Sequence, residues 1–208
     1  MIRKPDVKRE KLTHVTLVTG TEHYLEDSII VGADLEDAKL GKLTLEQCVV
    51  ENSNLMSANI AESRITDTIL EKCNLTGAAF YAAELDRVLA KSCRFQGTTL
   101  AESDLRDVHF KSSKLDGANF RFSTLKDVLF DTCEMGECDF LGAKLEGVEF
   151  RNCNLTGAQF LSGSLEDVRF PGSILEDIRI DKTSIGNVTV STSQALYLSG
   201  VFGLRIED

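Results

Sequence analysis

The sequence predicts an all-β fold, a right-handed quadrilateral β-helix closed by a short C-terminal helix/strand cap. An apolar residue occupies every fifth position from Leu25 to Val190, 34 positions without interruption. Period five is neither the 3.6 of a helix nor the 2 of a strand, so it indicates a repeat that stacks into a solenoid. Five residues form one side of a square and four sides form a coil, which predicts about eight and a half coils over roughly 40 Å.

A second column of small residues lies two positions before the apolar one. Segments 33–35 (Ala-Asp-Leu) and 153–155 (Cys-Asn-Leu) show the pattern of a small, a polar and a large apolar residue. A tube at interior packing density has space for one large group per side, so we expect the small residues to fill the gaps. We interpret the six cysteines, which all occupy this column, as buried packing residues and not as disulfides or metal ligands: Cys48, Cys73, Cys93, Cys133, Cys138 and Cys153.

The four sides of the predicted coil differ in composition. Side one begins at core residue Leu25, side two at Ile30, side three at Leu35 and side four at Leu40, and each recurs every twenty residues. Phenylalanine recurs on sides two and four, which predicts stacked aromatic ladders on two opposing walls. Ala90 is the one small core residue, so we expect a small void or a local kink there.

The repeat motif, a small residue, Asp or Asn, Leu and two more residues, resembles the pentapeptide-repeat family over residues 23–192. The segment from Val190 to Ile206 resembles the terminus of the Qnr-type quinolone-resistance branch, with helix N-cap residues at 191–193 and a short strand at 204–206. That resemblance implies a non-catalytic DNA mimic that binds DNA gyrase and topoisomerase IV and can protect them from fluoroquinolones. Many resistance members carry loop insertions that break the repeat, and this chain has none.

The expected organisation has three parts. Residues 1–22 form a basic N-terminal segment or cap, residues 23–192 the β-helix, and residues 193–208 a capping and dimerisation segment. In the resembled branch, the C-terminal helix pairs two rods end to end. We therefore predict a homodimer, and the dimerisation residues are the apolar ones that exceed what a cap needs: Leu196, Tyr197, Leu198 and Phe202.

The formal net charge is −10, and the repeat places the acids on two opposite walls. Side one carries twelve acids and five bases, a net of −7, and side three carries eight acids and two bases, a net of −6. Two interpretations remain open: a surface that imitates duplex nucleic acid, or a solvated face that keeps a rigid rod soluble. If the surface imitates nucleic acid, the partner binds acids on adjacent coils of side one, namely Asp86, Asp104, Asp107, Asp127 and Glu146.

An outward apolar stripe on side two favours a different function. Ile29, Val49, Ile69, Leu89 and Leu129 recur at its outward middle position. Such a stripe can bind a protein partner, which would make the chain an interaction scaffold or regulator without a topoisomerase role. It can equally be a β-branched packing ladder, or a surface that residues 11–17 cover.

Catalysis, cofactors and metals are not expected. The three histidines are far apart in the repeat, no glycine-rich phosphate loop occurs, and a convex rod lacks a concave site that excludes water. No apolar run approaches the roughly 18 residues of a membrane span, and the first residues do not resemble a leader. We therefore expect a cytoplasmic protein whose partner is a protein, with neither nucleic acid nor membrane as partner.

Overall fold

Residues twenty positions apart pair in parallel along the repeat region of the computed structural model. One ladder runs through the core residues of side one, from Leu45 to Leu165, with Leu85 and Leu125 in the same register. The structure describes residues 2–16, 22–205 and 207. The predicted parallel β-solenoid is confirmed.

Eighteen short strands, two 3₁₀ turns and one α-helix make up the regular structure of the described residues. The 3₁₀ turns are Arg9–Lys11 and Lys182–Ser184, and the helix is α1 (Thr192–Val201). The strands are β1 (Thr13–His14), β2 (Glu22–Glu26), β3 (Ser28–Val31), β4 (Lys42–Glu46), β5 (Val49–Glu51), β6 (Arg64–Glu71), β7 (Glu84–Lys91), β8 (Asp104–Arg106), β9 (His109–Lys111), β10 (Thr124–Lys126), β11 (Leu129–Asp131), β12 (Lys144–Glu146), β13 (Glu149–Arg151), β14 (Gln159–Phe160), β15 (Ser164–Glu166), β16 (Val168–Arg169), β17 (Arg179–Ile180) and β18 (Val188–Thr189).

Sides one and two form the more regular half of the coil. Their strands join one 16-stranded sheet because β6 and β7 run across the corner from side one into side two. Sides three and four pair mostly through single bridges, one for each coil, as between Asn54 and Asn74. Several corners hold a glycine with positive φ, for example Gly77 at 67° and Gly157 at 72°. Many corners instead use a polar residue in the same conformation, such as Asp67 and Asp107.

The two predicted phenylalanine ladders are confirmed. On side two, the rings of Phe110, Phe130 and Phe150 stack with centroids 5.0 Å apart and interplanar angles of 3–5°. On side four, Phe120 and Phe140 stack at 4.8 Å. The ladders meet edge to face across the tube, since the Phe120 and Phe130 centroids lie 6.0 Å apart at 86°. Both parallel-offset and edge-on arrangements are favourable for aromatic quadrupoles.

The local kink expected at Ala90 is not found. Ala90 is 1% exposed and lies inside the uninterrupted strand β7. Its strand pairing is continuous, with Leu70 and Phe110 as its neighbours on the adjacent coils, and the next core residue, Phe95, stands edge-on to Phe110 at 5.4 Å. A cavity of about 20 Å³ lies instead in the N-terminal coils, among aliphatic residues and Phe80, and Ala90 does not line it.

The small inward column does more than fill gaps. Cys73 Sγ lies 3.4 Å from the carbonyl oxygen of Val50, and Ser103 Oγ donates to that of Phe80 at 2.8 Å, each 23 positions earlier on the previous coil. All six cysteines are buried, as predicted, and burial raises the pKa of the Cys138 thiol. Thiol and hydroxyl donors thus satisfy carbonyls that face the core.

The C-terminal helix closes the last coil. Ser191 and Gln194 form a reciprocal capping box at the start of α1. The Gln194 side chain is buried, and its amide donates to the carbonyls of Phe170 and Ser173 at 2.8 and 2.7 Å. The strand predicted at 204–206 is wrong for residues 204 and 205, which follow the helix without strand structure, and residue 206 lies outside the described residues.

Candidate protein-binding surfaces

An N-terminal arm, residues 2–12, runs along the outside of the rod, across the coils. At its C-terminal end the arm leads into β1, where Thr13 and His14 pair with β3 of side two. Toward the N-terminus, the Arg9 guanidinium contacts Glu51 at 2.5 Å and Glu71 at 3.4 Å, which lie one coil apart. A single guanidinium therefore bridges two coils of side two.

The arm then follows the edge between sides one and two. The backbone N–H of Asp6 donates to Asp67 at 3.1 Å, and the backbone N–H of Arg3 donates to Asp107 at 2.8 Å. Asp67 and Asp107 are two coils apart, about 10 Å, and three residues of extended chain also span about 10 Å. The arm thus matches the coil spacing, with one backbone donor for every second coil.

Arg3 and Asp107 form the tightest part of this contact. The Arg3 guanidinium lies 2.6 and 2.8 Å from one carboxylate oxygen, and Asp107 is only 5% exposed. Burial opposes ionisation of Asp107, but the hydrogen bonds from Arg3 outweigh it and hold the carboxyl pKa below its usual value. Hydrogen bonds from Arg87 lower the pKa of Asp67 in the same way, against a smaller effect of burial.

The five acids predicted as the partner-binding wall do lie along side one, but few of them are available. Asp86 pairs with Arg87, Glu146 pairs with Lys126 at 2.6 Å, and Asp107 is covered by the arm. Asp127 is half-buried and Asp104 is exposed, each without an ion pair among the described residues. The arm residues 2–11 also bring five bases against two acids, a net of +3, to this edge. The five-residue period does not extend to the arm, so the sequence pattern could not place these bases beside side one.

Side three keeps its negative charge. None of its eight acids takes part in an ion pair within the described part of the chain. Seven of them are exposed and Asp116 is half-buried. Their polar contacts are to neutral groups, as where the Asn54 amide donates to Asp34 and Glu36 at 3.1 Å. The members are Asp34, Glu36, Asp37, Asp116, Glu134, Glu137, Glu176 and Asp177.

The apolar stripe of side two offers little flat exposed surface to a protein partner. Val49 is fully buried, Leu129 is 9% exposed, and Ile69 and Leu89 are half-buried. The N-terminal segment does cover the stripe, but through residues 2–5, which line one groove with Ile69, Leu89 and Leu129. Of the predicted covering residues 11–17, Thr13 and His14 pair at the edge of the sheet, and residue 17 lies outside the described residues.

Two family models match the repeat region. The model described as a pentapeptide repeat region covers residues 63–140, and the model described as pentapeptide repeats covers residues 33–71 and 133–177. The chain belongs to the pentapeptide-repeat family. No curated protein sequence matches it significantly.

Several solved pentapeptide-repeat structures are similar to this one. A trypsin-treated variant of QnrB1, described as a plasmid-mediated fluoroquinolone resistance protein, is 19% identical over 93% of this chain and 99% of its own, with a TM-score of 0.45. HetL from Nostoc sp. strain PCC 7120, described as involved in heterocyst differentiation regulation, is 20% identical over 76% and 86%, with a TM-score of 0.32. Rfr23 from Cyanothece 51142 is 17% identical over 74% and 91%, with a TM-score of 0.19.

The four residues predicted for dimerisation divide into two sets in this pentapeptide-repeat protein. Leu196 and Tyr197 are 54% and 40% exposed on the outer face of α1. Leu198 is 8% exposed and packs into the core, and Phe202 is half-buried against it, so both help to close the end of the rod. Val201 and Leu204, which the sequence analysis left out, add exposed apolar surface beside the first pair.

Two further findings bear on the expected absences. Within the described ranges, no three His, Cys, Asp or Glu side chains come together as a metal would require. The helix α1 has ten residues, and no helix in the described part of the pentapeptide-repeat chain has the length and apolar character of a membrane span.

Proposed function

We propose that this protein is a non-catalytic binding protein that occupies the basic DNA-binding surface of a type II DNA topoisomerase, gyrase or topoisomerase IV. The observation that carries the proposal is the unneutralised acidic wall of side three. Side one, the wall chosen from the sequence, is partly neutralised by its own bases and by the arm. Side three is the stronger candidate for an electrostatic surface.

The charge density of side three supports mimicry of sign and shape, and not of charge spacing. Its net −6 lies between residues 34 and 177, about seven coil steps or roughly 34 Å. That is about one charge per 6 Å, against one per ~1.7 Å for duplex DNA. Binding at this density still gives electrostatic steering toward a basic channel, with strong salt dependence.

The C-terminal end of side three links the acidic wall to the proposed dimer. The backbone N–H of Asp177 donates to the Tyr197 hydroxyl at 2.7 Å. The exposed face of α1 therefore lies next to the last acids of the wall, Glu176 and Asp177. A homodimer through Leu196 and Tyr197 would place the acidic walls of two rods at the same junction and lengthen the charged surface.

A gyrase supercoiling assay with the purified protein tests this function. The wild type is expected to inhibit supercoiling in a dose-dependent and salt-sensitive way, and a higher concentration of the relaxed plasmid substrate is expected to relieve the inhibition. A variant with Glu134→Lys, Glu137→Lys and Glu176→Lys on side three is expected to lose the effect. A matched variant with Asp104→Lys, Glu166→Lys and Asp167→Lys on side one is expected to retain most of it. Wild-type protein without effect on gyrase and topoisomerase IV at low salt would support the scaffold alternative instead.

Parallel reactions with a fluoroquinolone test whether binding also protects the enzyme.

A further inference from the structure

A groove of about 830 Å³ lies between the N-terminal arm and the face of side two. Ile2 and Pro5 of the arm form one wall, and Ile69, Leu89 and Leu129 form the floor. The volume falls in the range of roughly 300–1,000 Å³ that is typical of small-molecule sites. The groove is on a different face from the acidic wall of side three.

The groove is positively charged, although the protein is acidic. Its lining contains six basic and three acidic residues, a net of +3, on a chain whose net charge is −10. The acids are Asp127, Glu149 and Asp167, and the bases are Arg3, Lys4, Lys91, Lys111, Arg151 and Arg169. This reversal of sign beside an apolar floor favours a ligand with an apolar body and a negative charge.

Two of these cations have no ion pair among the described residues, and one histidine nitrogen has no hydrogen-bond partner. Lys4, on the arm, and Lys111, on side two, have no ion pair within the described residues, whereas Lys91 pairs with Glu71 at 2.9 Å. His109 Nε2 is buried without a hydrogen-bond partner, and its distance to Asp131 is 3.8 Å. Burial lowers the pKa of His109, so its ring is neutral near pH 7.

We propose that this groove binds a single-chain amphiphile with one anionic head, a fatty carboxylate in chemical class. The chain lies on Leu89 and Leu129 beside Ile2 and Pro5, and the head is held by Lys4 and Lys111. A polyanion such as nucleic acid would meet the three acids of the lining, whereas a single charge can lie between the two unpaired lysines. Apolar burial supplies most of the affinity, and the lysines select the charge.

Calorimetric titration of the full-length protein with decanoate, below its critical micelle concentration, tests the proposal. We expect saturable binding with one site per chain. Decanol, with the same chain and no charge, should bind at least roughly tenfold more weakly, and acetate, with the head and no chain, should not bind measurably. Equal affinity for decanoate and decanol would overturn the assignment of the lysines. Binding that occurs only to anionic phospholipid vesicles, and not to free decanoate, would overturn the ligand class.

Matched variants identify the site. Lys4→Gln and Lys111→Gln should each weaken decanoate binding about fivefold, and Leu89→Ser should weaken decanoate and decanol alike. Lys114→Gln removes a lysine that lies on side three, outside the groove, and should leave the affinity for decanoate unchanged. Decanoate should also shift the His109 ring resonances in nuclear magnetic resonance spectra of the wild type. Unchanged His109 resonances at saturation, or wild-type affinity in the Lys4→Gln/Lys111→Gln double variant, would contradict the proposal.

Discussion

Arg3 and Asp107, 104 positions apart in the chain, are joined by a backbone hydrogen bond and by two side-chain contacts of 2.6 and 2.8 Å. This pair fastens the N-terminal arm to the fifth coil of side one. It removes one of the five acids that the sequence predicted as a binding wall, and it closes one side of the cationic groove. The position of the arm therefore determines which surfaces of the rod remain open.

Replacing Asp107 should release the arm while the rod stays folded. Asp107→Asn keeps the shape of the side chain but removes the charge that holds Arg3, so trypsin should cleave the arm after Lys8 and Arg9 several-fold faster. Asp104→Asn is the matched control, because Asp104 is exposed on the same coil and does not contact the arm. Mass spectrometry of early digests gives both rates. Equal cleavage in the two variants would show that the arm is held elsewhere.

Acid should release the arm in the wild type. The folded-state pKa values of Asp107 and Asp67 are lowered, so their contribution to stability is complete above the unfolded pKa of about 3.9 and is lost as the pH falls through the lowered values. The difference in arm cleavage between wild type and Asp107→Asn should therefore disappear as the pH falls below about 4 and through the lowered pKa values. An acid-stable protease with sites in the arm, such as pepsin, measures this range. A difference that persists below both pKa values would contradict the assignment.

The phenylalanine ladder of side two should dominate the stability of the C-terminal coils. Phe130 is fully buried between Phe110 and Phe150, so Phe130→Ala should lower the free energy of unfolding by about 3–5 kcal/mol. Phe122→Ala makes the same chemical change at a side chain that is 61% exposed and should cost less than about 1 kcal/mol. Denaturant melts of the two variants give the comparison. Similar losses from both would show that the buried stack is not the main source of stability.

Gly163 should not tolerate a side chain. A Cβ built at this position would lie 2.2 Å from the carbonyl oxygen of Ala143, one coil earlier, so Gly163→Ala must push the two coils apart. We expect a loss of at least about 1–3 kcal/mol. Gly200→Ala has open space in α1 and should be neutral or gain up to about 1 kcal/mol from helix propensity. Thermal melts compare the two. A stable Gly163→Ala protein would show that the coil spacing is not as tight as described.

The proposed end-to-end dimer is expected to form through the outer face of α1. Leu196→Glu together with Tyr197→Glu should convert a dimer into a monomer at micromolar concentration, because buried unpaired carboxylates disfavour the interface. Ile174→Glu is the control, since Ile174 is a large apolar residue that is 49% exposed on side three and outside the helix. Light scattering or sedimentation measures the mass. A monomeric wild type would remove the dimer from the proposed function.

The repeat made most of the fold predictable, because one spacing of five residues determines sides, coils and core together. Phe130, Phe140 and the buried cysteines could be placed from their column alone. The arm could not be placed, since residues 2–12 carry no period. Only the alternation of half-buried Ile2, Pro5 and Val7 with charged neighbours hinted at a surface contact.

The binding wall on side one was predicted from formal charge, which counts acidic and basic residues but does not show which of them form ion pairs. Ion pairs join residues across coils or from the distant arm, as with Arg3, and these pairings depend on side-chain placement. Leu198 and Phe202 were assigned to the dimer for a related reason. Composition shows that the last segment is apolar, but only the packing of α1 shows which face closes the rod.

Direct binding to gyrase, measured by fluorescence anisotropy across a salt series, is the decisive test of the proposed side-three surface. Two variants remove equal charge from opposite walls: Glu134→Gln, Glu137→Gln, Glu176→Gln and Asp177→Asn on side three, and Asp104→Asn, Asp127→Asn, Glu166→Gln and Asp167→Asn on side one. The proposed side-three surface predicts that the first set weakens binding at least roughly tenfold and flattens the salt dependence, while the second changes affinity less than about threefold. Wild-type affinity in the side-three variant, with lost affinity in the side-one variant, would contradict it.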